Sequence, residues 1–403
     1  MSENNKKRIA VFFYENRNIN TYPYVVNSAR LLAEQGYFVD IYLNESQKTE
    51  LDIENCKFFI VSDLDRYNYI FNTAKQVHDQ RYNYDFLFVY SPEGLLISFL
   101  LNQYAKNIIP AVYFSMELKY KYIIFLYILE IIFIYFLLRF SFSKIKFKVL
   151  KTLFIYSFQK EKMKKIIKFS VVMDKDRAEI LKREFDFVDR IVLLPNSYIG
   201  FLEASSDFAY KKFNIPADKK ILLFTGGIEK AVFDEKLPLA LEKLGTEYTL
   251  LLSGFSRFNY LEEIKRQYKL LIENKRLVIN DVNLDEQEYD ELIRSCYIGL
   301  AWYKKTKVKN LYYMGLSSGK LTKYLSCKKP VIAPSFLYKY SEIIDVNQIG
   351  KTCADVSDIP EAVKQIELNY NKFTENVEKF YIENLEFEKQ FQKVIKALKE
   401  IGK

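Results

Sequence analysis

The 403-residue chain has a single histidine, His78, and only four cysteines. One histidine excludes any metal centre built from several imidazoles. His78 itself lies in a polar helical stretch and reads as a surface residue. Cys56, Cys296, Cys327 and Cys353 are far apart, with no Cys-x-x-Cys spacing. That excludes a disulfide frame or zinc ribbon and suits small buried thiols in a reducing compartment. A signal peptide is missing too: the basic start is followed by an apolar run that ends before Glu15, so export is not expected. There is no internal repeat and no low-complexity segment. Most of the chain also lacks excess charge. Between 119 and 168, eleven lysines and Arg139 stand against Glu130 and Glu161, a net +10 where the whole chain carries +9. All of the excess sits in the most apolar segment, so no nucleic-acid partner is expected.

What is present is a long alternation of apolar runs and amphipathic stretches, with 49% hydrophobic residues, enough for two domains with real cores. Strands are expected at 7–14, 37–43, 57–61, 84–90, 108–114, 168–173 and 190–195. Helices are expected between them at 25–35, 67–81, 95–105 and 174–184. After a linker near 201–215 a second series follows, with strands at 220–225, 248–253, 276–279, 298–302, 331–333 and 346–350. Its helices are placed at 260–274, 285–295, 319–327 and 359–369, and the tail 374–401 reads as two further surface helices. Strand–helix alternation of this kind implies α/β units with parallel, doubly wound sheets, whose ligands bind beyond the carboxyl ends of the strands.

The alternation breaks at 118–168. Residues 122–140 are nineteen mostly apolar positions with Glu130 the lone acid before Arg139, close to the length of a bilayer span. A basic amphipathic stretch follows, with Lys144, Lys148 and Lys151, then Lys160, Lys164 and Lys168, at helical spacing. A single crossing would put strands of one sheet on opposite sides of a membrane. The segment is therefore expected to re-enter the bilayer or lie in its surface, lysines against anionic headgroups. The alternative is a fully buried hydrophobic helix.

Residues 317–334 (SSGKLTKYLSCKKPVIAP) carry the clearest chemistry. Ser317 or Ser318 can cap a helix, Gly319 lets a ligand approach the backbone, and Lys320 puts a cation in the first turn. A cation there is unfavourable unless an anion is bound, which points to phosphate. The alternative is an ordinary helix–strand unit with a surface lysine. Asp63-x-Asp65 and Asp174-x-Asp176 spell a metal-binding pair, but solvated acids account for both.

Several stretches resemble, in order, motifs of the GT-B glycosyltransferases, above all the retaining bacterial family-4 enzymes that use nucleotide sugars. They are 194–197 (LPNS), 224–230 (FTGGIEK), 252–254 (LSG) and 318–332 (SGKLTKYLSCKKPVI). The resemblance implies an α/β fold of two Rossmann-like domains facing a cleft. An acceptor domain would cover 1–200, with 118–168 as membrane-associating helices. A nucleotide-sugar domain would cover 205–384, and a helix at about 385–403 would pack back on the first domain. It implies donor binding by Gly226, Gly227, Ser318, Gly319, Lys320 and Lys323, and catalysis by Glu117, Lys320 and Lys230, with no metal or cofactor. Glu117 has a second reading, a glutamate favoured by a helix dipole. The pattern departs from the family at Gly315 and Lys323, where it carries glutamates, at Lys328, where a helix-ending glycine is usual, and at 15–24, where a glycine-rich loop is usual. The expected activity is sugar transfer from a nucleotide diphosphate sugar to a lipid-linked saccharide in surface polysaccharide, lipopolysaccharide or glycolipid assembly. The expected location is the cytoplasmic face of a bacterial membrane, bound through 119–168, and a homo-oligomer is compatible with all of this. The alternatives are a catalytically degenerate membrane partner and a nucleotide-sugar epimerase of the same fold.

Overall fold

The computed structural model describes residues 7–15, 19–44, 51–61, 66–79, 83–105, 107–115, 160–185, 188–202, 205–256, 259–305 and 309–401. Glu117, Asp63, Asp65, the stretch 122–140 and most of 118–168 lie outside the described residues. The chain divides into two units, Met1–Leu194 with Glu388–Lys403, and Pro195–Phe387. Each is a Rossmann-like α/β layer built on one parallel sheet.

The first sheet contains β1 (Arg8–Phe12), β2 (Phe38–Asn44), β3 (Cys56–Val61), β4 (Phe86–Tyr90), β5 (Ala111–Ser115), β6 (Ile167–Val172) and β7 (Ile191–Leu193). Their order is β3-β2-β1-β4-β5-β6-β7, and each neighbouring pair is parallel. Strands covered on both faces need near-continuous apolar runs, and β4 and β5 are buried along their whole length. The helix Ser91–Tyr104 starts four residues before the expected 95. Ser91 takes a left-handed φ of 65°, which turns the chain out of β4, and Pro92 is tolerated in a first turn because its missing amide has no helical partner there. Asp174 accepts from the Arg177 amide at 2.9 Å and caps the helix Lys175–Glu184, so this half of the Asp-x-Asp motif has a structural role.

A charged pair in this unit has its carboxylate in the core. Arg8 Nε lies 2.6 Å from Asp40 Oδ2, and Tyr84 donates to the same oxygen at 2.7 Å. The Asp40 side chain is only 2% exposed. Removing the cation strands a carboxylate in the core, so Arg8→Met is expected to cost about 3 kcal/mol, read by chemical denaturation.

The second sheet contains β8 (Lys220–Thr225), β9 (Tyr248–Ser253), β10 (Leu277–Asn280), β11 (Ile298–Leu300), β12 (Val331–Pro334) and β13 (Gly350–Cys353). Their order is β10-β9-β8-β11-β12-β13, again parallel throughout. The chain builds outward from β8 on one side and from β11 on the other, so the switch point lies between β8 and β11. The strand expected at 346–350 forms instead at Gly350–Cys353. Val346 is 75% exposed, in the turn after the helix Tyr340–Ile344. An edge strand tolerates polar residues, and the Thr352 amide bonds Asp345 at 2.9 Å. The expected helix 260–274 breaks at Tyr268 into Tyr260–Gln267 and Lys269–Glu273. Lys328 has φ 55°, the left-handed turn that glycine fills more easily.

Two chain segments at the ends of this unit are bonded to each other. Tyr381 donates its hydroxyl to the Tyr198 carbonyl at 2.7 Å, and the Phe387 amide donates to the same carbonyl at 3.1 Å. The Gly200 amide donates to Glu386 at 3.1 Å.

Candidate functional site

The site forms at the β8–β11 switch point. β8 and β9 run in register from Lys220↔Tyr248 to Thr225↔Ser253, so Gly226 and Gly254 leave the sheet side by side. Gly226 has φ 117°, a conformation that disfavours any side chain. A Cβ on Gly254 would lie 1.7 Å from the Gly226 carbonyl oxygen. The two glycines let adjacent loops close on each other, and the Gly226 amide is held by Ser253 O at 3.0 Å.

The helix Gly319–Ser326 approaches the same place from after β11. Ser318 is its cap: the hydroxyl accepts from the Leu321 amide at 3.2 Å and lies 3.0 Å from the Tyr303 hydroxyl. Tyr324 anchors the helix on the sheet, its hydroxyl donating to Leu223 O at 2.7 Å. The Ser317 and Ser318 amides are taken by Met314 and Gly315 carbonyls. Among the described residues, the Gly319 and Lys320 amides have no partner, as the first turn of any helix requires unless a ligand supplies one.

Lys320 is not a surface lysine. Its Nζ stands 3.8 Å from the centre of the Phe224 ring and 4.3 Å from that of Tyr303, and donates to Trp302 O at 3.2 Å. No carboxylate among the described residues pairs with it. A Cβ on Gly226 would touch Lys320 Cε at 3.4 Å, so the glycine and the lysine share one corner.

Thr225, Gly226, Gly227, Tyr289, Tyr303 and Lys320 line a pocket of about 250 Å³, closed by Phe224 and Val232. That is small beside the roughly 300–1,000 Å³ of whole-ligand sites, and suits a diphosphate better than an entire nucleotide sugar. Behind the lining runs a hydroxyl chain in which Tyr289 donates to Thr225 at 3.1 Å and Thr225 meets Tyr324 at 3.2 Å. Burial pushes Tyr289 and Tyr303 up to about 12, so both are neutral donors at physiological pH. Burial also holds the Lys320 ammonium well below its ordinary value. A bound dianion would favour the charged lysine and reverse that shift. Above the free-state value, binding must then take up a proton, so affinity falls as pH rises. Titration calorimetry at alkaline pH in buffers of different ionisation heat is expected to show this uptake in the wild type and not in Lys320→Arg.

Of the residues singled out by sequence, the structure brings Gly226, Gly227 and Lys320 onto one lining, with Ser318 and Gly319 at its helix start. It does not bring Lys230 or Lys323 there. Lys230 is 67% exposed and pairs with Glu263 at 2.9 Å. Lys323 is 5% exposed, pairs with Asp290 and covers the Tyr198 ring at 4.1 Å. Glu117 is outside the described residues. Tyr289 and Tyr303 went unnoticed in the sequence; only the position of Tyr303, just past a strand end, could have flagged it. Among the described residues no group of three His, Cys, Asp or Glu side chains could hold a metal ion, and no helix is long and apolar enough to cross a membrane.

Residues 251–393 match the family described as glucosyltransferase 3-like, C-terminal domain. No curated protein sequence matches the chain. Among solved structures, HepE of Anabaena in complex with UDP-glucose is similar over 98% of this chain and 99% of its own, with TM-score 0.67 and 11% identity. A glycosyltransferase from Rickettsia africae is similar over 98% and 99%, with TM-score 0.65 and 16% identity. The lipopolysaccharide outer core galactosyltransferase WaaB is similar over 97% and 99%, with TM-score 0.57 and 11% identity. At these identities the likeness concerns the fold, and the fold is GT-B.

Proposed function

We propose that the chain is a glycosyltransferase whose donor, a nucleotide diphosphate sugar, seats its diphosphate in the pocket of the second unit. The carrying observation is Lys320, a part-buried lysine packed against two rings with no carboxylate partner among the described residues, beside the Gly319 and Lys320 amides, which have no partner among them either. Such a corner is costly empty and favourable around an anion. Breaking the glycosidic bond leaves negative charge on the diphosphate, and a fixed cation there stabilises the transition state more than the ground state. Gly226 and Gly227 leave room for the phosphates to approach. Lys230, three residues further on, is a second cation for that charge, since an exposed ion pair such as Lys230–Glu263 is weak enough to exchange. HepE was crystallised with UDP-glucose, which puts uridine diphosphate sugars first among candidate donors.

The acceptor half of the proposal rests on sequence. The apolar and basic residues 119–168 would hold the protein peripherally on the anionic cytoplasmic face of a membrane, near a lipid-linked saccharide. Glu117 would serve the acceptor hydroxyl, and full turnover by Glu117→Gln would remove it. One observation favours a binding-only protein of this fold: Gly315 and the buried Lys323 occupy the two positions where the resembling family carries acids.

A thermal-shift panel of nucleotide diphosphate sugars in detergent tests the donor site. At a hundred times Kd the matching donor is expected to stabilise the protein by about 2.7 kcal/mol, and Lys320→Ala is expected to lose the shift. No shift with any donor, or an equal shift in the variant, would overturn the reading. Transfer or slow donor hydrolysis by the pure protein separates the enzyme from the binding-only form.

A further inference from the structure

We infer that Asn196 and Thr322 are positioning residues for the diphosphate corner: they set the turn 316–320 without reaching the pocket themselves. This rests on the donor site proposed above.

Asn196 faces the turn with both its backbone and its side chain. Its amide donates to Leu316 O at 3.3 Å, and its Nδ2 donates to Ser317 O at 3.2 Å. Two consecutive carbonyl oxygens are thereby drawn onto Asn196. Carbonyl oxygens left facing a phosphate would repel it, whereas amides attract it. Holding these two carbonyls on Asn196 leaves Gly319 and Lys320 as the unpaired donors of the turn. The approach is close: a Cβ on Gly319 would lie 3.2 Å from Asn196 Nδ2, so residue 319 has little room for a side chain.

Thr322 ties the same asparagine to the helix. Its hydroxyl donates to Asn196 O at 2.5 Å, with the Ser318 and Gly319 carbonyls at 3.2 Å as competing acceptors. Thr322 is fully buried, so it acts only through what it holds. Two residues past Asn196, the Tyr198 ring lies under the ammonium of Lys323, the helix residue next to Thr322. The segment 196–198 thus grips the helix that carries Lys320 at two adjacent residues, Thr322 and Lys323. Neither Asn196 nor Thr322 lines the pocket. Their identities matter because a main-chain anion site tolerates little displacement.

Wild type, Thr322→Val, Thr322→Ser and Asn196→Ala would be titrated calorimetrically with UDP, GDP, ADP and dTDP, and with the matching nucleosides. Circular dichroism would establish that each variant is folded. Thr322→Val keeps the shape and removes only the hydroxyl, and it is expected to weaken the preferred nucleoside diphosphate roughly tenfold. The matching nucleoside, which lacks the diphosphate, is expected to bind the variant as it binds the wild type. Thr322→Ser is expected to restore diphosphate affinity. Asn196→Ala supplies a second, independent test should Thr322→Val not fold. Equal losses for diphosphate and nucleoside, or unchanged diphosphate binding in folded variants, would overturn the inference. If the wild type binds none of the diphosphates, the donor reading fails and this inference falls with it. That failure shows in the wild type, whereas failure of the positioning role shows only in the variants.

Discussion

Lys320→Met is expected to lower donor affinity and turnover by roughly 100-fold or more while leaving the protein as stable as before, or more so. The two effects have one origin. In the free protein the ammonium is packed against the rings of Phe224 and Tyr303 with no carboxylate partner among the described residues, so its charge is paid for in desolvation. Methionine fills a similar volume without charge, and a gain of about 1 kcal/mol is reasonable for such a replacement. The sign of the pH dependence follows as well. A lysine held below its ordinary value in the fold binds fewer protons there than in the unfolded chain. Wild-type stability therefore rises with pH between the depressed value and the ordinary one, relative to Lys320→Met. Thermal unfolding of both proteins across the alkaline range checks it, and parallel curves would contradict it.

Gly254→Ala is expected to be the most damaging single-methyl change in the second unit. Its Cβ would fall 1.7 Å from the Gly226 carbonyl oxygen, and main chain on either side cannot swing away as a side chain can. Separating the two loops also disturbs the Gly226 amide on Ser253 and the left-handed turn that makes room for Lys320. A loss of about 3 kcal/mol, a fall of roughly 6–12 °C for a unit of this size, and loss of donor binding are expected. Calorimetry and the donor panel measure both. Gly227→Ala is the comparison: its Cβ would meet nothing closer than 3.7 Å, so it is expected to fold normally.

Much of the fold could be read from periodicity because a parallel sheet covered on both faces demands long apolar runs, and KILLFT and YTLLLS give them. β13 could not, because its residues GKTC are polar and pairing with β12 rather than side-chain burial makes them a strand. In the site, the resemblance pointed to Gly226 and Gly227 and the helix start pointed to Lys320, and the structure places all three on one lining. Spacing was not enough for Tyr289 and Tyr303, which line the pocket from outside the motif, or for Asn196, which holds the turn beside it from 121 residues away. Nor could spacing tell Lys323 from Lys320. The two are three residues apart on one helix, yet Asp290 takes up the first and rings enclose the second.

The bonds between Tyr198, Gly200, Tyr381, Glu386 and Phe387 bear on where the second unit can be excised for separate expression. Scissors placed at 205 and 384 would discard Asn196, Tyr198 and Glu386, leave the Tyr381 hydroxyl without its acceptor, and release Thr322 from the asparagine carbonyl. A piece running from Pro195 through Phe387 keeps those knots tied at both ends.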